Sequence, residues 1–420
     1  MTSSMSIFQA CLGVAIFLLF AWCISENRRK VNYKFIMTGL GLQIALAIVI
    51  TKVNVIQSGF LWVSEGINKL KCATCEGTKF VFGYLGGGEV PFVTKEGANS
   101  FIFAFQPLPM IMVVSALSML LFHWKFLPIL VRAFSWALRK TLNIGGALGV
   151  CAAAKVFLGQ TEAPLLIRPY LAKFTRSELF TVMTAGMATT SASIMILYGQ
   201  ILENKIPNPI SHILTASIIS IPAAIVISRI MIPQTGEDTV GDLVLPYHFS
   251  GAMDAVSQGA SEGMKLFLNI IAMLIVALAL VALINYTLSI LPLFHNQPIT
   301  LQWLLGIAMA PVTWLMGIPW EEAKIAGNLL GTKTILNEVV AFINLSKVKT
   351  SLSLHTNLIM TYALCGFANL STIGIQIGGL GTMVPERRTE IISLGLRALI
   401  AGTIASCLSG TIMGLLFWIN

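Results

Sequence analysis

The sequence predicts an all-α polytopic membrane protein with eight transmembrane helices, two re-entrant hairpins, interfacial helices and an inverted repeat. Three observations carry that prediction. The chain is 56% hydrophobic and only 11% charged, where a soluble domain carries about a quarter charged residues. Uncharged runs near the ~20 residues that a helix needs to cross a hydrocarbon core recur along it. Two further apolar stretches are broken at their middles, and the breaks carry Glu162 and Glu338. An ionisable group at bilayer depth is costly, so each break marks a functional site.

The spans follow in order. Met5–Ser25, Phe35–Thr51, Gly97–Trp124, Leu179–Leu202, Ile206–Ser228, Leu266–Leu291, Thr356–Met383 and Ala398–Asn420 are the eight. The second is short, and Lys34 can snorkel from its end. Helices are required because backbone polar groups in lipid must be satisfied internally. The first span lacks a basic leader and a small-residue cleavage site, so it is a span and not a signal peptide. The formal charge of +9 is read as membrane orientation, with no nucleic-acid partner. Basic clusters at 28–34, 125–140, 168–176 and 387–388 share one side only if residues 143–168 dip in and return. Both termini then lie outside. The acidic loop 237–262 falls on the cytoplasmic side, where acidic residues weigh little.

Residues 52–100 form a long external segment whose Gly83–Gly88 run is a flexible connection. Glu89 stands where a phosphate loop needs lysine, and Gly331-Thr332-Lys333-Thr334 is a second near miss. No ATPase module is visible. Cys72-Ala73-Thr74-Cys75 lacks the further ligands of a zinc site, and reads as loop cysteines or a small disulfide.

From residue 125 the chain runs one programme twice. The units are 1–124 (spans one to three, scaffold side), 125–232 (repeat one), 233–299 (interfacial segment and span six, scaffold side) and 300–420 (repeat two). Each repeat has an interfacial segment (125–142; 300–318), a broken hairpin, a span with a polar middle and a closing span. The polar middles are Thr189–Ser193 and Asn369–Thr372. The spacing from glutamate to polar middle is alike in both halves, which supports a repeat. Opposite entry of the two hairpins makes the copies inverted, with a site where the tips meet.

At the first tip Gln160, Thr161 and Glu162 present an amide, a hydroxyl and a carboxylate. At the second stand Asn337 and Glu338. Span seven adds Asn369 and Thr372, three apart on one helical face, and Phe367, which can stack on a planar ring. This set suits a neutral, hydroxyl-rich, heteroaromatic solute. A structural alternative pairs Glu162 with Arg168 and Glu338 with Lys333. Asn369 could serve as interhelical glue, and the Ser/Thr run as helix packing.

The motifs Gly159–Leu165, Leu336–Ala341 and Gly366–Ile373 resemble the signatures of the concentrative nucleoside transporters. Met316–Glu321 and Met383–Arg387 are similar as well, and the likeness spans nearly the whole chain. The resemblance implies uptake of nucleosides down a sodium or proton gradient, by an elevator-like movement, in a homotrimer of the cell (inner) membrane. It implies base contacts at Gln160, Thr161 and Glu162, lined by Ile194 and Phe367. Ribose contacts fall on Glu338, Asn369 and Thr372. No cofactor is implied.

One departure stands at the ion site. Sodium-coupled members carry an asparagine five residues before the tip glutamine, and here that position is Lys155. The other ion ligands match the Leu158 and Thr190 carbonyls and the Thr189 hydroxyl. An ammonium offers only donors, so Lys155 does not bind sodium. It occupies the site, its amine directed at those oxygens, and couples transport by gaining and losing a proton. The alternatives are a fixed tether in a carrier without that coupling, a lysine snorkelling to water, and sodium coupling. A membrane enzyme using Glu162 and Glu338 as acid and base has no nucleophile–His constellation, since His123, His212, His248, His295 and His355 lie outside both motifs. A channel would show rings of like groups.

Overall fold

The computed structural model describes residues 3–93, 102–244, 249–292, 298–348 and 352–418. The start of the expected third span, His248 and His295 lie outside them. The described residues are helical throughout, with no strand. The first part holds α1 (Ser3–Cys23), α2 (Tyr33–Lys52), α3 (Asn54–Phe82) and α4 (Met110–His123). Residues 125–232 hold α5 (Phe126–Leu142), α6 (Gly146–Ala154), α7 (Glu162–Leu165), α8 (Arg168–Leu171), α9 (Arg176–Ala188), α10 (Ala192–Ile201) and α11 (Pro209–Met231). Then come α12 (Ala252–Leu288), α13 (Leu301–Leu315), α14 (Trp320–Ile335) and α15 (Glu338–Lys347). The chain closes with α16 (Leu354–Leu364), α17 (Leu370–Met383) and α18 (Arg388–Trp418).

Six described segments are long and apolar enough to span a membrane: α1, α2, α9 with α10, α11, α12, and α18 with the turn before it. Two sharply bent pairs, α4 with α5 at 78° and α13 with α14 at 118°, would raise the number to eight. The expected third span is therefore reduced to the 14 residues of α4. The expected seventh is split into α16 and α17 by a break at Cys365–Asn369. Span four is split as well, at Thr189–Ser191, where two threonines and a serine in extended or capping geometry interrupt the helix.

Four expectations change. The external segment after α2 is not irregular: α3 is a 29-residue amphipathic helix with Glu65–Lys69 and Glu76–Lys79 pairs along it. Cys72 and Cys75 sit on that helix as free thiols, neither in a loop nor in a disulfide. The Gly83–Gly86 stretch is a 3-10 turn, held by Thr78 Oγ1 donating to the Gly86 carbonyl. The acidic end of the 237–262 segment is also helical, because α12 starts at Ala252. There Asp254 accepts from the Ser250 amide and complements the helix N-terminus.

α9 and α11 are almost wholly buried, and α16 and α18 pack against them. α1 packs on α18 and α2 on α11. α4 instead packs on α12, whose Ile275, Leu278, Leu280 and Leu283 face outward. An ionic cluster ties the ends of these helices. Glu26, between α1 and α2, accepts from Arg176 Nε at 3.2 Å and Nη2 at 2.9 Å, and from Arg397. Glu390 accepts from Arg387 Nε and Nη2 at 2.9 and 2.7 Å. Arg387 also donates to the Leu171 and Phe174 carbonyls.

The hydrogen bond and charge of Arg176, with the charge of Arg397, hold the Glu26 carboxyl below its usual range. A lowered folded-state pKa gives stability that is present above the unfolded value and lost as pH falls through the folded one. Glu26→Gln should therefore lower the thermal midpoint at neutral pH, by the equivalent of about 1 kcal/mol or less for so exposed a cluster. The gap from the unaltered protein should close on acidification below the ordinary carboxylate value of 4.5. Scanning fluorimetry across that range checks both.

Candidate functional site

Two breaks cross at the centre of the fold. The Phe367 amide donates to the Thr189 carbonyl at 3.4 Å. A Cβ on Gly366 would stand 2.8 Å from the Ala188 carbonyl oxygen, so only glycine permits the crossing. On the far side of the crossing α17 starts with Asn369 as its N-cap, its Oδ1 accepting from the Thr372 amide at 2.9 Å and hydroxyl at 3.0 Å. Asn337 caps α15 in the same way, accepting from the Val340 amide at 3.0 Å. Both half-helices thus direct their N-terminal ends, with partial positive charge, at the region between the breaks.

One polar cluster centres on Glu338, which is 4% exposed. Its Oε1 accepts from the Tyr198 hydroxyl at 2.8 Å and its Oε2 from Asn369 Nδ2 at 2.9 Å. The Tyr198 ring stacks on Phe342 with centroids 4.5 Å apart, which fixes the phenol. Ile194 lies one turn before Tyr198 on α10, and Phe367 beside Asn369; both are buried. The alternative pairing of Glu338 with Lys333 does not form. Lys333, fully buried, donates instead to the Ala363 carbonyl at 2.7 Å, one of the last of α16 and without a helical partner.

A second cluster lies at the turn between α6 and α7. Glu162 accepts from the Gly159 amide at 3.1 Å, and the alternative pairing with Arg168, which is exposed, does not form. Lys155 is 1% exposed, so it does not snorkel to water. Its amine donates to the Gln160 carbonyl at 2.7 Å, where the expectation placed it on the Leu158 and Thr190 carbonyls. The turn closes that bond within five residues, inside the segment that carries Lys155. Thr189 Oγ1 donates to the Ala185 carbonyl at 2.7 Å, and the Thr190 carbonyl accepts weakly from Ser217 at 3.4 Å. The Ala192 amide donates to the Phe157 carbonyl, joining this turn to the α9–α10 break.

α17 connects the two clusters. Thr372 and Gln376 share one of its faces, and Gly379 follows on the same side. Gln376 donates to the Met183 carbonyl at 2.9 Å. A Cβ on Gly186 would meet Gln376 Nε2 at 2.6 Å and Lys155 Nζ at 3.0 Å, so these side chains converge on a bare patch of α9. Thr161 packs on Gly379. The seven steps from Thr372 to Gly379 span ~10 Å at ~1.5 Å rise per residue. Between the clusters, Gln160 Oε1, Thr190 Oγ1, Ser191 Oγ and Gln376 Oε1 are buried without a hydrogen-bond partner among the described residues. Each such group costs about 1–3 kcal/mol, and together they can receive donors from an amide- and hydroxyl-bearing solute.

Three members of these clusters escaped the sequence reading: Tyr198, Gln376 and Lys333 as a carbonyl donor. Tyr198 stands four residues after Ile194 and Gln376 four after Thr372. Extending each recognised position by one helical turn would have found both.

Three family models match the chain. They are described as Na+ dependent nucleoside transporter N-terminus over residues 12–85, nucleoside recognition gate over 104–205, and Na+ dependent nucleoside transporter C-terminus over 212–414. An uncharacterized transporter, YutK, of Bacillus subtilis is 36% identical over 98% of this chain and 100% of its own. The nucleoside permease NupC of Helicobacter pylori is 34% identical over 97% of each chain. Among solved structures, CNTnw in an inward-facing substrate-bound state superposes with a TM-score of 0.88 at 32% identity, covering 97% of this chain and 98% of that one.

Tyr198→Phe should leave one Glu338 oxygen without its donor while keeping the ring on Phe342. A loss of about 1–3 kcal/mol is expected. It should show as a lower thermal midpoint, whereas Tyr198→Phe together with Glu338→Gln should cost less than the two single changes summed.

Proposed function

The chain belongs to the concentrative nucleoside transporter family, and from that premise we propose that it imports nucleosides as a proton-coupled secondary active transporter. It is an integral membrane transporter and not an enzyme, in keeping with its relatives. The observation that carries the substrate reading is the pair of polar clusters on one face of α17, separated by the length of a two-ring solute. The Glu338–Asn369–Thr372 cluster is suited to ribose hydroxyls: a carboxylate accepts from a diol, and the Asn369 amide adds a donor. Gln160, Thr161 and Glu162 offer donors and acceptors to a base edge, and Ile194 and Phe367 supply its apolar walls.

Lys155 supports the coupling. A sodium site would need oxygen ligands on all sides, and here an ammonium projects into the turn that would hold the ion. It makes a single hydrogen bond, to the Gln160 carbonyl. In the proposed cycle the amine takes a proton from the outer side, the loaded protein changes access, and the proton leaves to the inner side. The neutral amine then returns, so one positive charge enters per cycle. Sodium coupling is the alternative that the description of the matching family models favours.

We assign the elevator-type movement to the two repeats, 125–232 and 300–420, whose α9, α11, α16 and α18 pack as one body. α4 and α12 would form the static wall, and the outward apolar face of α12 is where copies in a homotrimer would meet lipid or one another. The sequence reading places spans one and two on the scaffold side with span three, but the packing of α1 on α18 and α2 on α11 favours grouping those two helices with the moving part.

Proteoliposomes test the coupling. Uridine should accumulate under an imposed gradient with acid outside and should not respond to sodium; accumulation driven by sodium alone would overturn the proton reading. Lys155→Asn should abolish the pH response and bring in a sodium response. Glu338→Gln should weaken nucleoside binding by ten-fold or more, about 1.4 kcal/mol, by calorimetry, and an unchanged affinity would remove Glu338 from the site.

A further inference from the structure

A cavity of about 430 Å³ lies away from the breaks, where the N-terminal end of α2 meets the C-terminal ends of α5 and α11. Its polar wall includes Lys30, Asn32, Lys34, Asn143, Arg229 and Asp238. Three cations face a single carboxylate. Neither Lys30 nor Lys34 is in an ion pair among the described residues, and both are exposed. The first turn of α2 contains no acidic residue, and its one side-chain cap is the neutral Asn32, which accepts from the Phe35 amide.

Arg229 sets this cavity apart from a patch of surface lysines. It is 8% exposed, on the last turn of a buried helix, and lines the cavity wall. Its Nη2 donates to Asp238 Oδ1 at 2.9 Å. Its Nε is buried and has no partner among the described residues. A buried guanidinium has five donors in a planar fork suited to a tetrahedral oxyanion, and one half-exposed carboxylate leaves most of them unused. Such a group is costly unless an anion completes it.

We propose that this cavity binds a phosphate ester, held by Arg229 at its inner wall and by Lys30 and Lys34 at its mouth. Phe35, Ile36, Leu142 and Ile144 also line the cavity and make part of its surface apolar. α5, which ends at the cavity, exposes Phe126, Ile129 and Trp136, with Lys140 over the Trp136 ring. That pattern places a helix at a membrane interface. An apolar wall beside a cationic pocket at interfacial depth fits the headgroup phosphate of an anionic glycerophospholipid. A free phosphate ester carries the same recognised group.

The test uses the full chain in nanodiscs of phosphatidylcholine, with the thermal midpoint read by tryptophan fluorescence. One arm adds phosphatidylglycerol to the bilayer, and the other adds sn-glycerol 3-phosphate to the buffer. A rise with phosphatidylglycerol that Lys30→Gln/Lys34→Gln removes supports the lipid as the source. A rise with glycerol phosphate alone, removed by the same pair, supports the site with a soluble ligand. Arg229→Gln should remove either rise as well. If that variant fails to fold, the exposed lysine pair decides alone. No rise in either arm, or a rise of equal size in the lysine pair, would overturn the proposal.

Discussion

The rest of the structure depends on the crossing of two unwound helix middles, Thr189–Ser191 and Cys365–Asn369. A break in a membrane helix frees amides and carbonyls that lipid cannot satisfy. Here each break lies against the other: the Phe367 amide donates to the Thr189 carbonyl, and Gly366 lets the backbones close to contact. α18 holds both helices in place with small residues. Gly402 lies against Met187 of α9, and Gly410 against the Ile359 carbonyl of α16. A side chain at either glycine would push the crossing apart. The groups not used in the crossing are the ones that face the proposed substrate.

The charges beside the breaks obey a second rule. Lys155, Lys333 and Glu338 are buried and Glu162 partly so, yet none of the four is in an ion pair among the described residues. Both lysines donate to backbone carbonyls, at the α6–α7 turn and at the end of α16. The glutamates accept from the Gly159 amide and from the Tyr198 and Asn369 side chains. Opposite charges thus serve the backbone and leave the carboxylates to neutral donors. A neutral donor is exchanged for a substrate hydroxyl at small cost. A buried ion pair would have to be broken, which costs several kcal/mol.

Much of the site was legible because the polar residues stand out from an apolar background. Glu162, Glu338 and Asn369 needed no contact map to be noticed, and Asn337 and Asn369 both turned out to cap the helices that follow their breaks. Tyr198 was not legible, since a tyrosine inside an apolar helix looks like packing until its hydroxyl finds Glu338. The role of Lys333 was hidden for the opposite reason. A nearby glutamate in the sequence suggested a salt bridge, but helix direction carries its side chain to α16. The split of span seven was hidden because Cys365–Ala368 is apolar, and hydropathy does not register a break made of apolar residues.

The family resemblance marked Lys155 as standing in place of an asparagine, and the sequence by itself determined the helical membrane class and the positions of the two glutamate-bearing breaks. These follow from composition, local spacing and residue identity, which do not depend on what packs against what. Only the tertiary structure decided which partners the buried groups take, that α3 is a helix and not a loose connection, and that Thr372, Gln376 and Gly379 align the two polar clusters. Those outcomes are set by contacts between segments far apart in the chain, and in an apolar interior a polar group goes to whichever partner the packing brings within reach.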